Sequence, residues 1–174
     1  MNPSVSGNLG DVFAEHADSD SVAIVDLYNP TKPCEYTFRE FNGNCDAVAN
    51  GLIVAGLEPG DRIGILALNR VEFLEVLFGA MRAGCVPVMI NVKLPAETAE
   101  YIISDAEVKI IFADADQIAR INNSTRIVSF GEGDDPFDRF KIFSNEAFPS
   151  FFPGKGDIAE QPYTSGSTGR PKGV

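Results

Sequence analysis

The sequence predicts an α/β fold, in which a mostly parallel sheet carries helices on both faces. Short apolar runs alternate with longer amphipathic segments between residues 62 and 130. This order is typical of parallel strands joined by right-handed helical crossovers. The runs also contain few polar residues, as expected of strands covered on both sides. We therefore expect one central sheet between two layers of helices.

The first sixty residues predict a hairpin followed by a long helix. A weak helical signal at residues 11–16 precedes two strand-like runs, 21–26 and 35–38, separated by a proline-containing turn. Residues Thr37 and Glu40 fit a capping box, in which each side chain accepts a hydrogen bond from the backbone amide of the other. A helix is therefore expected to begin at Thr37.

From residue 62 onward the predicted strands and helices alternate. The expected strands are 62–68, 85–90, 108–113 and 126–130, and the expected helices are 71–83, 95–105 and 114–121. Helical spacing of apolar residues in the first of these helices predicts an inner face of Val71, Leu74, Leu77, Phe78 and Met81. Pro87 indicates a bulge or an edge position in its strand, because proline donates no ladder hydrogen bond.

Phenylalanine is concentrated in residues 136–153, at positions 137, 140, 143, 148, 151 and 152. We interpret this segment as a loop or short helix that packs its aromatic rings on the sheet. The alternative is an exposed surface that binds an acyl chain or a partner.

Composition and charge argue against several functions. The 174 residues include 14 Lys and Arg against 25 Asp and Glu, a net charge of −11, so nucleic acid and anionic membranes are not expected partners. No apolar run approaches the length of a membrane span, and residues 1–31 lack the features of a targeting signal. The three cysteines show neither disulfide nor zinc-site spacing. We therefore expect a cytoplasmic protein.

Residues 163–174 carry the clearest chemical signal. They read Tyr-Thr-Ser-Gly-Ser-Thr-Gly-Arg-Pro-Lys-Gly-Val. Small residues let backbone amides approach an anion, hydroxyls add donors, and glycine permits the dihedral angles that such a nest requires. Lys172 follows the run and supplies a compact positive charge for a phosphate. We call residues 163–174 the predicted phosphate loop; a flexible polar tail is the alternative.

Local charge agrees with an anion site. Residues 153–174 carry three basic and two acidic side chains, whereas the remainder carries 11 basic and 23 acidic ones. The segment is not a Walker A loop, because Pro171 and Gly173 occupy the positions where that motif requires Gly and Ser or Thr.

The predicted phosphate loop resembles the phosphate-binding signature of the adenylate-forming superfamily, which includes acyl-CoA synthetases, peptide-synthetase adenylation domains and luciferases. Residues 36–41, 57–63 and 81–95 resemble further segments of that superfamily. The resemblance extends from about residue 9 to the end of the chain, and it is closer to acyl-CoA synthetases than to peptide-synthetase domains.

The resemblance implies a two-step ligase. A small carboxylic acid attacks the α-phosphate of ATP to give an acyl-adenylate, and a thiol, usually that of coenzyme A, then displaces AMP. Lys172 would be the catalytic cation that neutralises the departing pyrophosphate, and Thr164 would also contact Mg²⁺. The residues implied to hold the β- and γ-phosphates are Thr164, Ser165, Gly166, Ser167, Thr168 and Gly169.

Members of the superfamily are much longer than 174 residues, and their base, ribose and acyl sites lie downstream of the phosphate loop. The resemblance thus implies that residues 1–174 are the N-terminal part of an AMP-binding domain without the C-terminal domain. Such a part is expected to be inactive alone and to self-associate through an exposed apolar edge. Two alternatives remain open, a non-catalytic phosphate- or nucleotide-binding module and an interaction protein.

Overall fold

The computed structural model describes residues 7–122, 124–164 and 170–174. The strands are β1 (Val22–Asp26), β2 (Cys34–Thr37), β3 (Arg62–Leu66), β4 (Val86–Met89), β5 (Ile110–Asp114), β6 (Arg126–Phe130), β7 (Tyr163–Thr164) and β8 (Lys172–Gly173). The α-helices are α1 (Phe38–Val54), α2 (Val71–Arg82), α3 (Ala96–Asp105), α4 (Ala115–Ile118) and α5 (Phe137–Phe140). Two single-turn 3₁₀ helices, Leu9–Asp11 and Ala14–His16, stand where the weak helical signal was found.

A four-stranded parallel sheet of order β4-β3-β5-β6 forms the centre of the protein. Strands β3 and β4 run parallel with Arg62 opposite Val86, as the alternation of elements predicted. Pro87 lies in β4, which is an edge strand. Of the two positions expected for this proline, the structure selects the edge, where the missing N–H is tolerated.

Helices cover both faces of the sheet, which confirms the predicted fold class. Side chains from α1, α2 and α5 pack with Ile110 and Phe112 on one face. Side chains from α3 pack with Ile111 and Ala113 on the other. Successive residues of a strand point to opposite faces, so a fully buried strand such as β5 supplies both layers of the core.

Helix α1 begins as the sequence predicts. The amide of Glu40 donates to the Thr37 hydroxyl at 3.2 Å, and the amide of Thr37 donates to the Glu40 carboxylate at 2.8 Å. The hairpin that precedes it is also present, with β1 and β2 antiparallel. These are local signals, and packing did not override them.

The predicted inner face of α2 is partly wrong. Leu74, Leu77 and Phe78 are only half-buried, whereas the buried residues of the helix are Val71, Glu75, Val76, Gly79, Ala80, Met81 and Arg82. Helix α2 packs against α1 as well as against the sheet, so small residues occupy the closest approach. The charged Glu75 and Arg82 are buried because they have partners there, Lys141 and Asp46 respectively.

Several element boundaries differ from those predicted. Strand β3 ends at Leu66, and shortly afterwards the amide of Leu68 donates to the side-chain carboxylate of Asp114 in β5 at 2.7 Å instead of to a backbone carbonyl of that strand. Pro95 caps α3 rather than occupying its first turn. Helix α4 is a single short turn, and the following residues form turns with hydrogen bonds of the i to i+3 type.

The phenylalanine-rich segment divides into a packed part and an exposed part. Phe137 and Phe140 are buried, and their rings lie 5.0 Å from those of Phe130 and Phe112 respectively. This confirms that the segment packs on the sheet. Phe143 and Phe152, however, remain 64% and 77% exposed, so the packing interpretation does not hold for these two rings.

The described residues also bear on two exclusions drawn from composition. Within those ranges, no helix combines the length and the apolar character that crossing a bilayer requires. All three cysteines are free thiols, with Cys34 exposed and the other two buried.

Candidate phosphate-binding site

The predicted phosphate loop begins and ends in a short antiparallel pair of strands. In this pair, Tyr163 lies opposite Gly173 and Thr164 lies opposite Lys172. The amide of Val174 donates to the Pro162 carbonyl at 3.0 Å and extends the pairing. The residues that flank the Ser/Thr/Gly run are therefore brought side by side. The other predicted phosphate-binding residues, Ser165, Gly166, Ser167, Thr168 and Gly169, lie outside the described residues.

The β7–β8 pair has an inner and an outer face. Residues opposite each other in an antiparallel pair share a face, and successive residues alternate. Tyr163 is half-buried against the core beside α3, whereas Thr164 and Lys172 are both exposed. Two residues singled out from the sequence are thus neighbours on the outer face, where a ligand can reach them.

The absence of a side chain at Gly173 leaves space for neighbouring side chains on the inner face of the β7–β8 pair. A β-carbon on Gly173 would stand 2.6 Å from Nε2 of Gln161 and 3.3 Å from Cζ of Tyr163. A side chain at this position would therefore push Gln161 aside. The glycine after the lysine allows the tyrosine and glutamine side chains to lie closely over the strand pair.

Helix α3 holds the start of the loop. The Tyr163 hydroxyl donates to Oδ2 of Asp105 at 2.6 Å, and the Tyr101 hydroxyl donates to Oδ1 of the same residue at 3.1 Å. Burial, and then the hydrogen bond to Asp105, raise the pKa of Tyr163 above its usual range. The phenol therefore remains a neutral donor at neutral pH.

A second set of hydrogen bonds joins the loop to the sheet. The amide of Gln161 donates to the Pro87 carbonyl at 3.0 Å, and Nε of Arg62 donates to Oε1 of Gln161 at 3.3 Å. Arg62 is the first residue of β3, and Pro87 lies near the start of β4. The loop is thus based at the amino end of these strands. Open α/β sheets more commonly bind ligands at the carboxyl end.

The two cations of the loop have different environments. The guanidinium carbon of Arg170 lies 5.2 Å from the centre of the Tyr101 ring, within cation–π range. The side chain of Lys172 is exposed, and its ammonium has no ion-pair or hydrogen-bond partner among residues 7–122, 124–164 and 170–174. Arg170 is therefore engaged by α3, and the ammonium of Lys172 is the cation available to a ligand on the outer face.

The described side chains fit Mg²⁺ only as part of a larger ligand set. In the described ranges, no group of three His, Cys, Asp or Glu residues could hold a metal ion. The exposed Thr164 hydroxyl is an oxygen ligand of the kind Mg²⁺ accepts, and this ion commonly completes its shell with water and substrate phosphates. The site therefore suits Mg²⁺ that arrives with a phosphate compound.

Among the cavities lined by described residues, two have an arginine in their wall. One of about 670 Å³ lies beside the amino ends of β3 and β4 and includes Arg62 and Lys155 in its wall. The other, of about 540 Å³, lies near Arg70. Arg70 is already paired with Glu72 at 2.8 Å and Asp114 at 2.9 Å. Its charge is therefore compensated within the protein.

Sequence reasoning missed the residues that hold the loop in place. Asp105 and Tyr163 are 58 residues apart, and no motif links them. The one local signal is that Tyr101 and Asp105 are four positions apart in a helix, and thus on the same side of α3. A hydroxyl and a carboxylate so placed could have been noted as a candidate pair.

Comparison with known proteins concerns the family and the fold. A family model described as "AMP-binding enzyme" matches residues 12–174. Fatty acyl-CoA synthetase A of Dictyostelium discoideum is 30% identical over 196 aligned positions, which cover 95% of this chain and 29% of the relative. The chain therefore spans less than a third of that curated relative's length.

Among the solved structures that share the fold are two that are named for a bound ligand. The inhibitor-bound N-terminal domain of FACL13 from Mycobacterium tuberculosis is 28% identical, with a TM-score of 0.79 over 96% of this chain and 43% of that one. ATP-bound MatB from Rhodopseudomonas palustris is 28% identical, with a TM-score of 0.78 over 95% of this chain and 34% of that one. Both the sequence match over residues 12–174 and the shared fold confirm the resemblance, and the chain belongs to the family of AMP-binding enzymes.

Proposed function

We propose that residues 163–174 hold the phosphates of ATP in a ligase that activates a carboxylic acid as its adenylate. The observation that carries this proposal is the pairing of Thr164 with Lys172 at the base of the Ser/Thr/Gly run. The Thr164 hydroxyl and the Lys172 ammonium, which has no ion-pair partner in the described ranges of the chain, then stand on one exposed face at the base of the Ser/Thr/Gly run. The ATP-bound relative at 28% identity supports the choice of nucleotide.

Lys172 has the central chemical role in this proposal. When bound, ATP supplies the α-phosphorus that an oxygen of the substrate carboxylate attacks. The bond between that phosphorus and the bridging oxygen of the pyrophosphate breaks. Negative charge grows on the departing pyrophosphate, so Lys172 stabilises the transition state more than the ground state. The backbone amides of residues 165–169 hold the β- and γ-phosphates in both states.

Thr164 has a smaller role. Its hydroxyl would be one oxygen ligand of a Mg²⁺ ion that also contacts the phosphates. That ion would share with Lys172 the neutralisation of the leaving group. Because Thr164 is exposed and lies opposite Lys172, both groups can act on the same phosphate chain.

For the second step we propose that a thiol, that of coenzyme A, accepts the acyl group. The Dictyostelium discoideum relative, a fatty acyl-CoA synthetase, supports this choice. The thiolate would attack the acyl carbon of the adenylate and release AMP. The substrate is therefore proposed as a small-molecule carboxylic acid.

Ligand binding to the chain tests the phosphate site directly. Calorimetric titration with Mg²⁺–ATP and with Mg²⁺–pyrophosphate should show binding that Lys172→Ala weakens by about threefold, because one exposed ionic contact to the ground-state phosphates is lost. Lys155→Ala is the matched control, since Lys155 is an exposed lysine of the same basic segment but lies in the wall of the larger cavity. No binding by the unsubstituted chain, or equal effects of the two alanine variants, would contradict the proposal.

Catalysis is tested in a protein of the relatives' length that carries this segment. Lys172→Ala should lower kcat for adenylation roughly ten- to a thousandfold, by analogy with loss of one oxyanion donor, and should change KM for ATP less. Lys172→Arg should restore only part of the rate, because a planar guanidinium does not occupy the place of an ammonium. Pyrophosphate exchange at the unsubstituted rate in Lys172→Ala would remove the lysine from the mechanism.

A further inference from the structure

We propose that helix α3 positions the two described ends of the predicted phosphate loop, residues 163–164 and 170–174, with Asp105 and Tyr101 as the positioning residues. Each of them holds one end of the loop, and they are hydrogen-bonded to each other. The ligand in this inference rests on the proposed function above. The positioning itself concerns contacts within the protein and can be tested without a ligand.

The contacts of α3 lie on both sides of the Ser/Thr/Gly run. Before the run, the hydroxyl of Tyr163 donates to Asp105 at 2.6 Å. After it, the guanidinium of Arg170 lies over the ring of Tyr101 at 5.2 Å. A single helix therefore contacts Tyr163 and Arg170, the residues on either side of the Ser/Thr/Gly run.

The two contacts are coupled through one carboxylate. Oδ1 of Asp105 accepts from Tyr101 and Oδ2 accepts from Tyr163. Hydrogen bonds to an ionised acceptor are about twice as strong as neutral ones. Loss of the carboxylate thus releases Tyr163 and also frees the ring on which Arg170 rests.

The strand pair needs this support because it is short. Strands β7 and β8 contribute two residues each, and a small two-stranded pair is marginal in water without packing against another element. Holding the Tyr163 side chain against α3 forces its neighbour Thr164, and the opposite residue Lys172, to the outer face. Asp105 therefore acts on these two side chains through Tyr163.

Hydrogen exchange of backbone amides tests the positioning role in the 174-residue chain. Tyr163→Phe removes one hydroxyl, and Asp105→Ala removes the acceptor of both tyrosines. Each should raise exchange of the non-proline amides in residues 161–164 and 170–174 by roughly tenfold, with the amides of β5 unchanged. Tyr28→Phe is the matched control, because Tyr28 is a half-exposed tyrosine of the distant β1–β2 region. Unchanged exchange in the loop, or equal loss of protection across the central sheet, would overturn the inference.

The double variant separates coupling from independent effects. If Asp105 acts through Tyr163, adding Tyr163→Phe to Asp105→Ala should raise exchange no further, because the hydrogen bond is already absent. Additive effects of the two substitutions would show that they act independently and would contradict the coupling.

The affinity of the Asp105→Ala variant for Mg²⁺–ATP distinguishes positioning from electrostatics, because the two explanations predict opposite changes. Electrostatics alone predicts that Asp105→Ala strengthens triphosphate binding, since a negative charge near the loop is removed. Loss of positioning predicts weaker binding, and we expect that result. Tighter binding would overturn the inference. If the unsubstituted chain binds no Mg²⁺–ATP but the exchange results hold, the proposed function fails and the positioning role of α3 stands.

Discussion

Gly79 of α2 lies so close to Cys45 of α1 that a β-carbon on the glycine would stand 2.7 Å from the Cys45 carbonyl oxygen. The same β-carbon would lie 2.7 Å from Cβ of Val48. Backbone and buried side-chain atoms cannot yield as the end of a flexible side chain can. The absence of a side chain at this position therefore sets the separation of the two helices that cover one face of the sheet.

Substitution of this glycine should be destabilising. We expect Gly79→Ala to lower the free energy of unfolding by about 1–3 kcal/mol, because it overpacks a close helix–helix contact. Gly43 is the matched control, since it lies within α1 and a β-carbon there meets nothing within 4 Å. Gly43→Ala should raise stability by about 0.5–1 kcal/mol through helix propensity. Urea unfolding measures both, and changes of the same sign would contradict the packing argument.

A buried ion pair joins α2 to the segment after α5. Glu75 is only 1% exposed; its Oε1 accepts from Asn44 at 2.6 Å, and its Oε2 lies 3.6 Å from Nζ of Lys141. We expect Lys141→Met to cost about 3 kcal/mol of stability, because it leaves a buried carboxylate without its counter-charge. The methionine keeps an apolar stem at this position.

Asp138→Asn is the control for that substitution. Asp138 also pairs with Lys141, at 3.4 Å, but its side chain is 93% exposed. Its replacement should change the free energy of unfolding by no more than about 0.5 kcal/mol. Equal effects of the two substitutions in thermal or urea unfolding would show that burial of Glu75 is not the cause.

The same carboxylate gives a pH dependence of stability. Burial is the main cause that raises the pKa of Glu75 above its ordinary value of 4.5. Between 4.5 and the raised value, the folded state binds more protons at this site than the unfolded state. The contribution of Glu75 to stability therefore falls as pH rises through that interval.

Glu75→Gln removes this titration. We expect the stability of the unsubstituted protein, relative to the glutamine variant, to decrease as pH is raised from about 4.5 toward neutrality. Urea unfolding of both proteins at a series of pH values measures the difference. A difference that stays constant, or that grows with pH, would contradict the predicted direction.

Self-association through an exposed apolar edge remains a prediction. The β1–β2 hairpin forms a separate two-stranded sheet among the described residues, and Val25 and Leu27 at its end are 52% and 61% exposed. Unpaired strand edges with exposed apolar residues favour pairing between molecules. We expect sedimentation coefficients that rise with concentration, and Val25→Lys should suppress that rise.

Ile158→Lys is the matched substitution, because Ile158 is 49% exposed in a different part of the chain. It should leave the association unchanged. A monomer at all concentrations in the unsubstituted protein would contradict self-association. Equal effects of the two lysine substitutions would contradict the role of the hairpin.

The sequence by itself determined the elements whose signals are local. The capping box at Thr37 and Glu40 placed the start of α1, because a cap depends on residues three positions apart. The alternation of apolar runs placed the strands of the central sheet and, with Pro87, an expected edge or bulge. The signature at residues 163–174 indicated the family and singled out Thr164 and Lys172.

Tertiary structure alone decided what depends on residues far apart in the chain. The strand order β4-β3-β5-β6 and the buried face of α2 follow from packing between elements. Periodicity within one element cannot specify either of them. The same holds for Asp105, which meets Tyr163 only because α3 and the edge strand β4 bring them together across 58 residues. A hydrogen bond requires proximity in space, and the chain reaches that proximity only when the sheet has formed.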